Sequence, residues 1–284
     1  MEGEKVLLTG VTGYLGSHVG QQFLQKCPEF QLRCSIRNQK KADVFRDTFG
    51  EENFNNIEWV TADLDNAEQL DKAIEGCQYV IHVASPIPGA NAASSNDFMV
   101  KVAEDGMKHV LDACTKHKIK KLIVTGSVAN IHGAAFKGNK DPYYDEKDFA
   151  IDHKQPWDGY VESKIMQEQV AIKYHKEMKA NPDAHQMEIV FLLPSFICGP
   201  PLNHLASSSV EAFRKFATGA IPVVPWVYAG VIDVRELATA HILAFQSEAG
   251  TLAGERIIIS GDTATMMEQC NYIRKNFHDK GLKK

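Results

Sequence analysis

The chain has 284 residues, of which 44% are hydrophobic, enough for one large domain or for a domain with an added lobe. Its 31 basic and 36 acidic residues give a formal net charge of -5, which argues against a nucleic-acid surface. No apolar stretch in the sequence has the length of a membrane span, and the start MEGEKVLLTG is too acidic for a signal peptide. We therefore expect a cytoplasmic protein.

Neither the cysteines nor the histidines have the spacing of a metal site. The six cysteines are scattered without a C-x-x-C pair, which favours free cysteines in the core. The eleven histidines show no H-E-x-x-H spacing. The basic run KHKIKK, from Lys116 to Lys121, is typical of a solvent-exposed helix end. We expect neither a metal ion nor a polyanion as a partner.

Short apolar runs alternate with longer amphipathic segments along most of the chain. The runs predict β-strands at 6–9, 30–36, 57–61, 79–84, 122–125 and 189–193. Apolar residues at helical spacing fill the gaps, as at Leu15, Val19 and Phe23 and again over 98–114. Strands separated by helices imply crossover connections, and hence an α/β fold with a mostly parallel sheet covered on both faces.

This regular pattern breaks down beyond Pro194. There GPPL, a run of serines and IPVVP predict irregular structure in a small second lobe. The pattern returns over 231–260, which ends in a predicted strand at 255–260, and TMMEQCNYIRKNF predicts a last helix. We therefore divide the chain into a main domain over 1–193, with 231–260 partly returning to it, and a C-terminal lobe over 194–284.

The stretch LLTGVTGYLGSHV places glycines at 10, 13 and 16, where the first predicted strand passes into the first helix. Such a turn lets a pyrophosphate approach the free N–H groups of the helix start. The spacing differs from the commoner G-x-G-x-x-G, so the turn alone also fits a purely structural role. Arg37 ends the second strand about twenty residues further on, where an arginine suits the 2'-phosphate of NADP(H) and Lys41 is close enough to assist.

Three further side chains stand where chemistry is expected. Asp63, after the third strand, is placed to accept a hydrogen bond from an adenine amino group, although Asp commonly ends strands for local reasons. Tyr160 and Lys164, in YVESK, stack one turn apart on a predicted helix. Because tyrosine ordinarily titrates near pH ~10, its use as an acid at neutral pH requires a nearby cation, here Lys164.

Together TGVTGYLG, HVASP, the serine of VTGSVA, YVESK, LLPSFICGP and VIDVRELATAHILAF resemble the extended short-chain dehydrogenase/reductase family. Within it the likeness is greatest to the branch of dihydroflavonol, cinnamoyl-CoA, yeast methylglyoxal and ketone reductases. The resemblance implies a Rossmann-like doubly wound parallel sheet with a small C-terminal substrate lobe, NADPH/NADP+ as cofactor, and Ser127, Tyr160 and Lys164 as catalytic residues. The cofactor contacts that it implies are Gly10, Thr12, Gly13, Tyr14, Leu15, Gly16, Arg37, Lys41, Asp63, Leu64, Ala84, Ser85, Tyr160, Lys164, Pro194, Ser195, Phe196 and Ile197.

The implied reaction is reduction of a carbonyl group. Hydride reaches the carbonyl carbon, Tyr160 protonates the oxygen, Ser127 hydrogen-bonds that oxygen, and Lys164 both lowers the tyrosine pKa and holds the nicotinamide ribose. The residues expected to line the pocket are Ile87, Val128, Phe196, His204 and Trp226. This lining favours a small, mainly apolar carbonyl substrate, with Arg214 as the one candidate for binding a carboxylate.

The chain departs from the pattern of the family at three places. Gly126 stands where a second Ser or Thr is usual, and DGYVESK lacks the N-W-Y-C-Y-G-K signature of cinnamoyl-CoA reductases, which disfavours that activity. Family members usually extend further than HDKGLKK, so the substrate lobe is expected to be small and its pocket open. The expected assembly is a monomer or a homodimer.

Two other functions remain open. A nucleotide-sugar epimerase or dehydratase of the same fold would retain NAD, but such enzymes normally carry an acid where this chain has Arg37. A non-catalytic NADP-binding regulatory module would use the same fold, but it usually lacks the tyrosine or the lysine, and both are present here.

Overall fold

The computed structural model describes residues 3–43, 45–85, 96–132, 144–152, 159–203, 208–218, 220 and 228–277. The strands in these ranges are β1 (Lys5–Thr9), β2 (Gln31–Ile36), β3 (Glu58–Thr61), β4 (Tyr79–His82), β5 (Lys121–Thr125), β6 (Glu188–Pro194), β7 (Phe196–Cys198), β8 (Tyr228–Asp233), β9 (Arg256–Ile259) and β10 (Thr263–Thr265). The helices are α1 (Tyr14–Lys26), α2 (Gln39–Asp43), α3 (Arg46–Phe49), α4 (Glu51–Asn56), α5 (Ala67–Ile74), α6 (Asn96–Lys116), α7 (Ala129–His132), α8 (Gly159–Ala180), α9 (Ser208–Ala217), α10 (Val234–Gln246) and α11 (Met266–Phe277).

The main sheet, within the described ranges, has seven strands in the order β3-β2-β1-β4-β5-β6-β9, and all of its neighbours pair in parallel. The chain winds outward from β1 to β3 and then returns to β4 on the other side of β1. In such a doubly wound sheet, the carboxyl ends of the strands at this reversal form the usual ligand crevice. The predicted Rossmann-like α/β fold is confirmed.

Helices cover both faces of this sheet, which explains the continuous apolar runs of its strands. Leu8 and Ile123 belong to the core beneath α1 and α10, which pack on each other. Leu7 and Leu122, one residue away in each strand, belong to the core beneath α5, α6 and α8. Alternate residues of each strand therefore fill two separate apolar layers.

The part of the chain after Pro194 is more regular than its sequence predicted. There β7 pairs in parallel with β8, β8 pairs antiparallel with β10, and α9 begins at Ser208, inside the serine run. The prediction of irregular structure is wrong for the serine run, GPPL at 199–202 is irregular as predicted, and IPVVP at 221–225 lies outside the described residues. Serine is a favoured residue at helix starts, so the run begins a helix here. The predicted last helix is confirmed as α11, which packs on α9 and β10.

The basic run KHKIKK is only partly an exposed helix end. Lys116 ends α6 and is exposed, but Ile119 and Lys121 are buried, and Lys121 begins β5. The prediction is wrong for this second half. The Lys121 ammonium is buried because acceptors surround it, with Nζ 3.1 Å from Ala244 O and 2.8 Å from both Ser247 O and Ser247 Oγ.

None of the six cysteines forms a disulfide; four lie in the core as predicted, whereas Cys198 and Cys270 are half-buried. Among the described residues, no three His, Cys, Asp or Glu side chains are grouped so that they could hold a metal ion. None of the helices in the described ranges is both long and apolar enough to cross a bilayer.

Candidate active site

The glycine turn joins β1 to α1 at the reversal of the sheet. A Cβ on Gly10, whose φ is +75°, would lie 2.7 Å from Ala84 N, and a Cβ on Gly16 would lie 2.0 Å from Gly10 O. At Gly13 the same atom would meet only Gly10 O, at 3.2 Å, and no side chain caps the helix that starts there. The outer glycines therefore allow close packing, while the N–H groups at the start of α1 stay available to an anion.

The first turn of α1 also holds the segment that follows β7. The Tyr14 hydroxyl donates to Gly199 O at 2.6 Å, and His18 Nε2–H donates to Pro200 O at 2.9 Å. Burial raises the pKa of Tyr14 and lowers that of His18, so both groups are neutral at physiological pH. The Tyr14 hydroxyl is thus engaged within the chain. The group of Tyr14 that remains for the predicted cofactor contact is its backbone N–H, at the start of α1.

The predicted contacts for the adenosine end follow β2 and β3. Arg37 comes directly after β2 and is exposed, and Lys41 lies in α2, where its side chain is outside the described part. Asp63 Oδ1 accepts from Leu64 N at 2.8 Å, and Leu64 O accepts from His109 Nδ1–H at 3.0 Å. These bonds fix the turn after β3 against α6.

Two buried serine hydroxyls mark the crevice. Ser85 Oγ and Ser195 Oγ are buried and have no hydrogen-bond partner within the described part of the chain. Buried hydroxyls normally have a partner, so these two are available to a polar ligand. Both belong to the predicted cofactor contacts, Ser85 after β4 and Ser195 between β6 and β7.

The predicted catalytic residues come from β5 and α8. Ser127 follows β5, and its Oγ accepts from Ala129 N–H at 3.1 Å. Tyr160 lies in the first turn of α8 and is 41% exposed. Lys164, one turn further, is buried, and its Nζ donates to Thr125 O at 3.2 Å and to Gln167 Oε1 at 3.5 Å. The structure thus brings Lys164 to the end of β5, two residues before Ser127.

Burial of Lys164 changes the balance between its ammonium form and its neutral amine form. Desolvation lowers the pKa of Lys164 from its ordinary range to about 8. At pH 7 the ammonium form still predominates, by about ten to one. Lys164 can therefore act as the cation that the predicted role of Tyr160 requires.

Gly126 departs from the family pattern because its surroundings leave no room for a side chain. A Cβ there would lie 2.5 Å from Leu193 Cδ2 and 3.2 Å from Asn130 Nδ2. Leu193 belongs to β6 and is fully buried. A side chain at Gly126 would therefore have to displace Leu193 of β6.

Two buried histidines at this end of the sheet were missed by sequence reasoning, although both lie inside quoted motifs, HVASP and VIDVRELATAHILAF. His82 Nδ1 is 2.9 Å from Thr9 Oγ1. His241 Nδ1–H donates to Leu237 O at 2.8 Å, so its Nε2 accepts from the Thr125 hydroxyl, also at 2.8 Å. Burial lowers the pKa of His82 to about 3 and that of His241 to about 4.

A buried ion pair, also unforeseen, fixes the approach to α8. Arg256 donates to both carboxylate oxygens of Glu168, at 3.0 and 3.1 Å. It also donates to Glu146 O at 2.6 Å and to Asp148 O at 2.8 Å, and its guanidinium lies 3.9 Å from the centre of the Phe149 ring. Arg256 thereby ties β9 to α8 and to the described segment that precedes it.

The predicted substrate side is described only in part. Val128 N–H donates to Pro194 O at 3.0 Å, so Val128 lies beside the segment from Pro194 to Ile197. Arg214 makes two hydrogen bonds with Glu211, of 2.8 and 2.6 Å. The three remaining lining residues, Ile87, His204 and Trp226, lie outside the described residues.

The chain is similar to one protein family and to several known reductases. Residues 7–274 match the model of the 3-beta hydroxysteroid dehydrogenase/isomerase family. Cinnamoyl-CoA reductase 1 of Arabidopsis thaliana is 28% identical over 86% of this chain and 67% of its own. The NADPH-dependent methylglyoxal reductase of Saccharomyces cerevisiae is 24% identical over 96% of this chain and 82% of its own. Gre2 of Candida albicans, solved in complex with NADPH, has a TM-score of 0.81 at 26% identity, covering 97% of this chain and 83% of that one.

Proposed function

Because the chain belongs to the 3-beta hydroxysteroid dehydrogenase/isomerase family, we propose that it is an NADPH-dependent reductase that converts a ketone or aldehyde into an alcohol. The observation that carries the proposal is the buried amine of Lys164, bonded to Thr125 O one turn from Tyr160. Relatives named for NADPH-dependent reduction support the same reaction class.

The residues at the crevice fit the cofactor. The start of α1 offers N–H groups to a pyrophosphate, the hydroxyls of Ser85 and Ser195 lack partners among the described residues, and the exposed Arg37 suits a 2'-phosphate. We place Thr12, Leu15, Lys41, Asp63, Leu64, Ala84 and Pro194–Ile197 among the other contacts, as the resemblance implies. When bound, NADPH supplies the hydride.

Side chains of the protein donate the proton and stabilise the charges that form. The Tyr160 hydroxyl donates its proton to the carbonyl oxygen as negative charge develops there. The Lys164 ammonium stabilises the phenolate that remains and so lowers the tyrosine pKa. Ser127 Oγ accepts the Ala129 N–H, which leaves its own proton free to be donated to the substrate oxygen.

We infer that the substrate is a small, mainly apolar carbonyl compound. Val128 and Phe196 flank the crevice beside Ser127, and Arg214 is already paired with Glu211. The C-terminal lobe over 194–284 is proposed to bind the substrate, with Ile87, His204 and Trp226 contributing. Such a site selects by shape and apolar contact, so we expect several small ketones and aldehydes to be accepted.

A panel of ketones and aldehydes assayed with NADPH, by loss of nicotinamide absorbance, tests the proposal. The expected result is oxidation of NADPH with several members and much slower oxidation of NADH. Tight NADPH binding without reduction of any carbonyl would contradict it and favour a regulatory module. NAD retained through purification, with no net consumption, would favour an epimerase or dehydratase.

A further inference from the structure

A row of residues runs across the main sheet beneath α8. Thr9 pairs with His82 between β1 and β4, and His82 pairs with Val124 between β4 and β5. Val124 belongs to the core layer that also contains residues of α6 and α8. Because paired residues of neighbouring parallel strands share a face, Thr9 and His82 lie on this face too.

Hydrogen bonding fixes the tautomer of His82. The Thr9 hydroxyl oxygen accepts the N–H of Ala84 at 3.2 Å, and no acceptor other than His82 Nδ1, at 2.9 Å, is near it in the described part. Thr9 therefore donates to Nδ1, and the ring proton is inferred to be on Nε2. This Nε2–H is buried and has no partner among the described residues. Because Nδ1 faces Thr9 of β1, Nε2 lies on the other side of the ring.

Lys164 approaches the same place from α8. Its Nζ bonds Thr125 O, and Thr125 directly follows Val124, the neighbour of His82 on β5. Burial is the first cause of the lowered pKa of His82, and the positive charge of Lys164 is the second. The imidazole and the amine are therefore electrostatic neighbours in a dry part of the protein.

We propose that His82 is a positioning residue for Lys164: its Nε2–H dipole directs the amine toward Thr125 O and Gln167 Oε1. A neutral amine uses its two protons on these acceptors and turns its lone pair toward the Nε2–H. An ammonium has no lone pair, and the dipole repels it. The inference rests on the proposed function only in assigning Lys164 to the active site.

Several other charged groups around α8 are paired within the described residues. On α8 itself, Glu168 binds Arg256 of β9. On α6, Lys101 pairs with Asp105, and Lys108 pairs with Glu104. His241 lies on the opposite face of β5 and binds the Thr125 hydroxyl. His82, on the face of the sheet that α8 covers, is a buried polar group that these pairs do not engage.

Nitrogen-15 NMR of the histidine rings in the unmodified protein gives the first test, and it requires neither cofactor nor substrate. His82 is expected as a neutral imidazole with its proton on Nε2 between pH 6 and pH 10. Its Nε2 shift should show a step at the pH where Lys164 loses its proton, although His82 itself does not titrate there. A proton on Nδ1, or no step while Lys164 titrates, would overturn the inference.

The second test measures the pKa of Lys164 directly, from the Cε resonance that disappears in Lys164→Met. His82→Phe keeps an aromatic ring but removes the N–H, so Lys164 should bind its proton about tenfold more tightly, an upward shift of about one pH unit. His241→Phe is the matched control, because it removes an equally buried histidine near the same strand end without changing this row. An unchanged pKa in His82→Phe, or equal shifts in both variants, would refute a positioning role.

These measurements also separate the two proposals. If they succeed while no carbonyl is reduced, only the reductase assignment fails. If the protein reduces carbonyls and the Lys164 pKa does not respond to His82→Phe, only the positioning role fails.

Discussion

At the edge where the strands begin, Lys121 is buried with every N–H near an acceptor, and it lies 3.7 Å from Glu188, whose carboxylate also accepts Gly250 N–H and Leu252 N–H. At the edge where the strands end, Ser195 Oγ and His82 Nε2 are buried without partners in the described residues. At the amino edge, where the strands begin, the chain itself supplies partners for Lys121 and Glu188, whereas at the carboxyl edge, where they end, its described residues supply none for these two atoms. The contrast is between buried polar groups that stabilise the fold and buried polar groups that stay available at the candidate site.

The sharpest test of this contrast is Tyr160→Phe at the carboxyl edge. Removal of the hydroxyl should slow carbonyl reduction by about 10² to 10⁴ if Tyr160 is the general acid, while NADPH still binds. Thermal stability should barely change, because Tyr160 is 41% exposed. Steady-state kinetics and thermal melting measure both effects. Tyr272→Phe, at a 67% exposed tyrosine of α11, is the control and should change neither.

Lys121→Met at the amino edge should show the opposite pattern. It leaves the buried Glu188 carboxylate without its cation, which should lower the free energy of unfolding by about 3 to 5 kcal/mol. Turnover per folded molecule should be unchanged. Urea unfolding is the measurement, and Lys116→Met, in the same basic run but with a 64% exposed side chain, should cost no more than about 1 kcal/mol. Equal losses in the two variants would show that the amino edge is not held by this pair.

Arg37→Asp tests whether the carboxyl edge recognises a phosphate. Loss of charge-assisted hydrogen bonds to the 2'-phosphate should weaken NADPH binding by about 1.5 to 3 kcal/mol, roughly ten- to more than a hundredfold. Preference should shift toward NADH, as measured by titration of both cofactors. Lys40→Asp, at an exposed position of α2 three residues further on, controls for a general charge effect. Equal affinity of the unmodified protein for the two cofactors would contradict the assignment.

The smallest expected effect concerns His241 and acid. The pKa of His241 in the folded protein is about 4, below its ordinary value of 6.5. Between pH 6.5 and pH 4 the unfolded chain therefore binds a proton at this residue that the folded chain does not bind. Stability is therefore lost as the pH falls, by about 2 kcal/mol for this group between pH 7 and pH 5. Urea unfolding at both pH values should show that His241→Gln loses correspondingly less than the unmodified protein. If the two lose equal amounts, His241 titrates normally.

The features that could be predicted from the sequence are those that depend on residues close together in the chain. The glycine turn, the alternation of strands and helices, and the Tyr160–Lys164 spacing each depend on residues within a few turns of one another. The buried state of Lys121 could not be predicted, because its acceptors come from residues 244–247, more than a hundred positions away. Similarly, Gly126 has no local explanation, since the side chain that excludes a Cβ there belongs to β6.

The histidines illustrate the same limit within the candidate site. His82 and His241 stand in motifs that the resemblance uses, but a motif does not reveal which ring nitrogen is bonded. That information lies in Thr9 on a neighbouring strand and in Leu237 and Thr125, which meet only in the folded sheet. The assignment of Ser127, Tyr160 and Lys164 to catalysis stays a prediction until the variants are measured.

The clamp of Arg256 on Glu168 has a consequence for protein synthesis. The two residues are 88 positions apart, and Arg256 belongs to the last strand that joins the main sheet. While the ribosome is still making residues before 256, the glutamate on α8 has no cation and the segment around Phe149 has no anchor. We expect nascent chains arrested before Arg256 to be cleaved by protease near residues 144–152, and chains arrested well beyond it to resist cleavage. The tyrosine and lysine of α8 are thus translated long before the strand that fixes their helix in place.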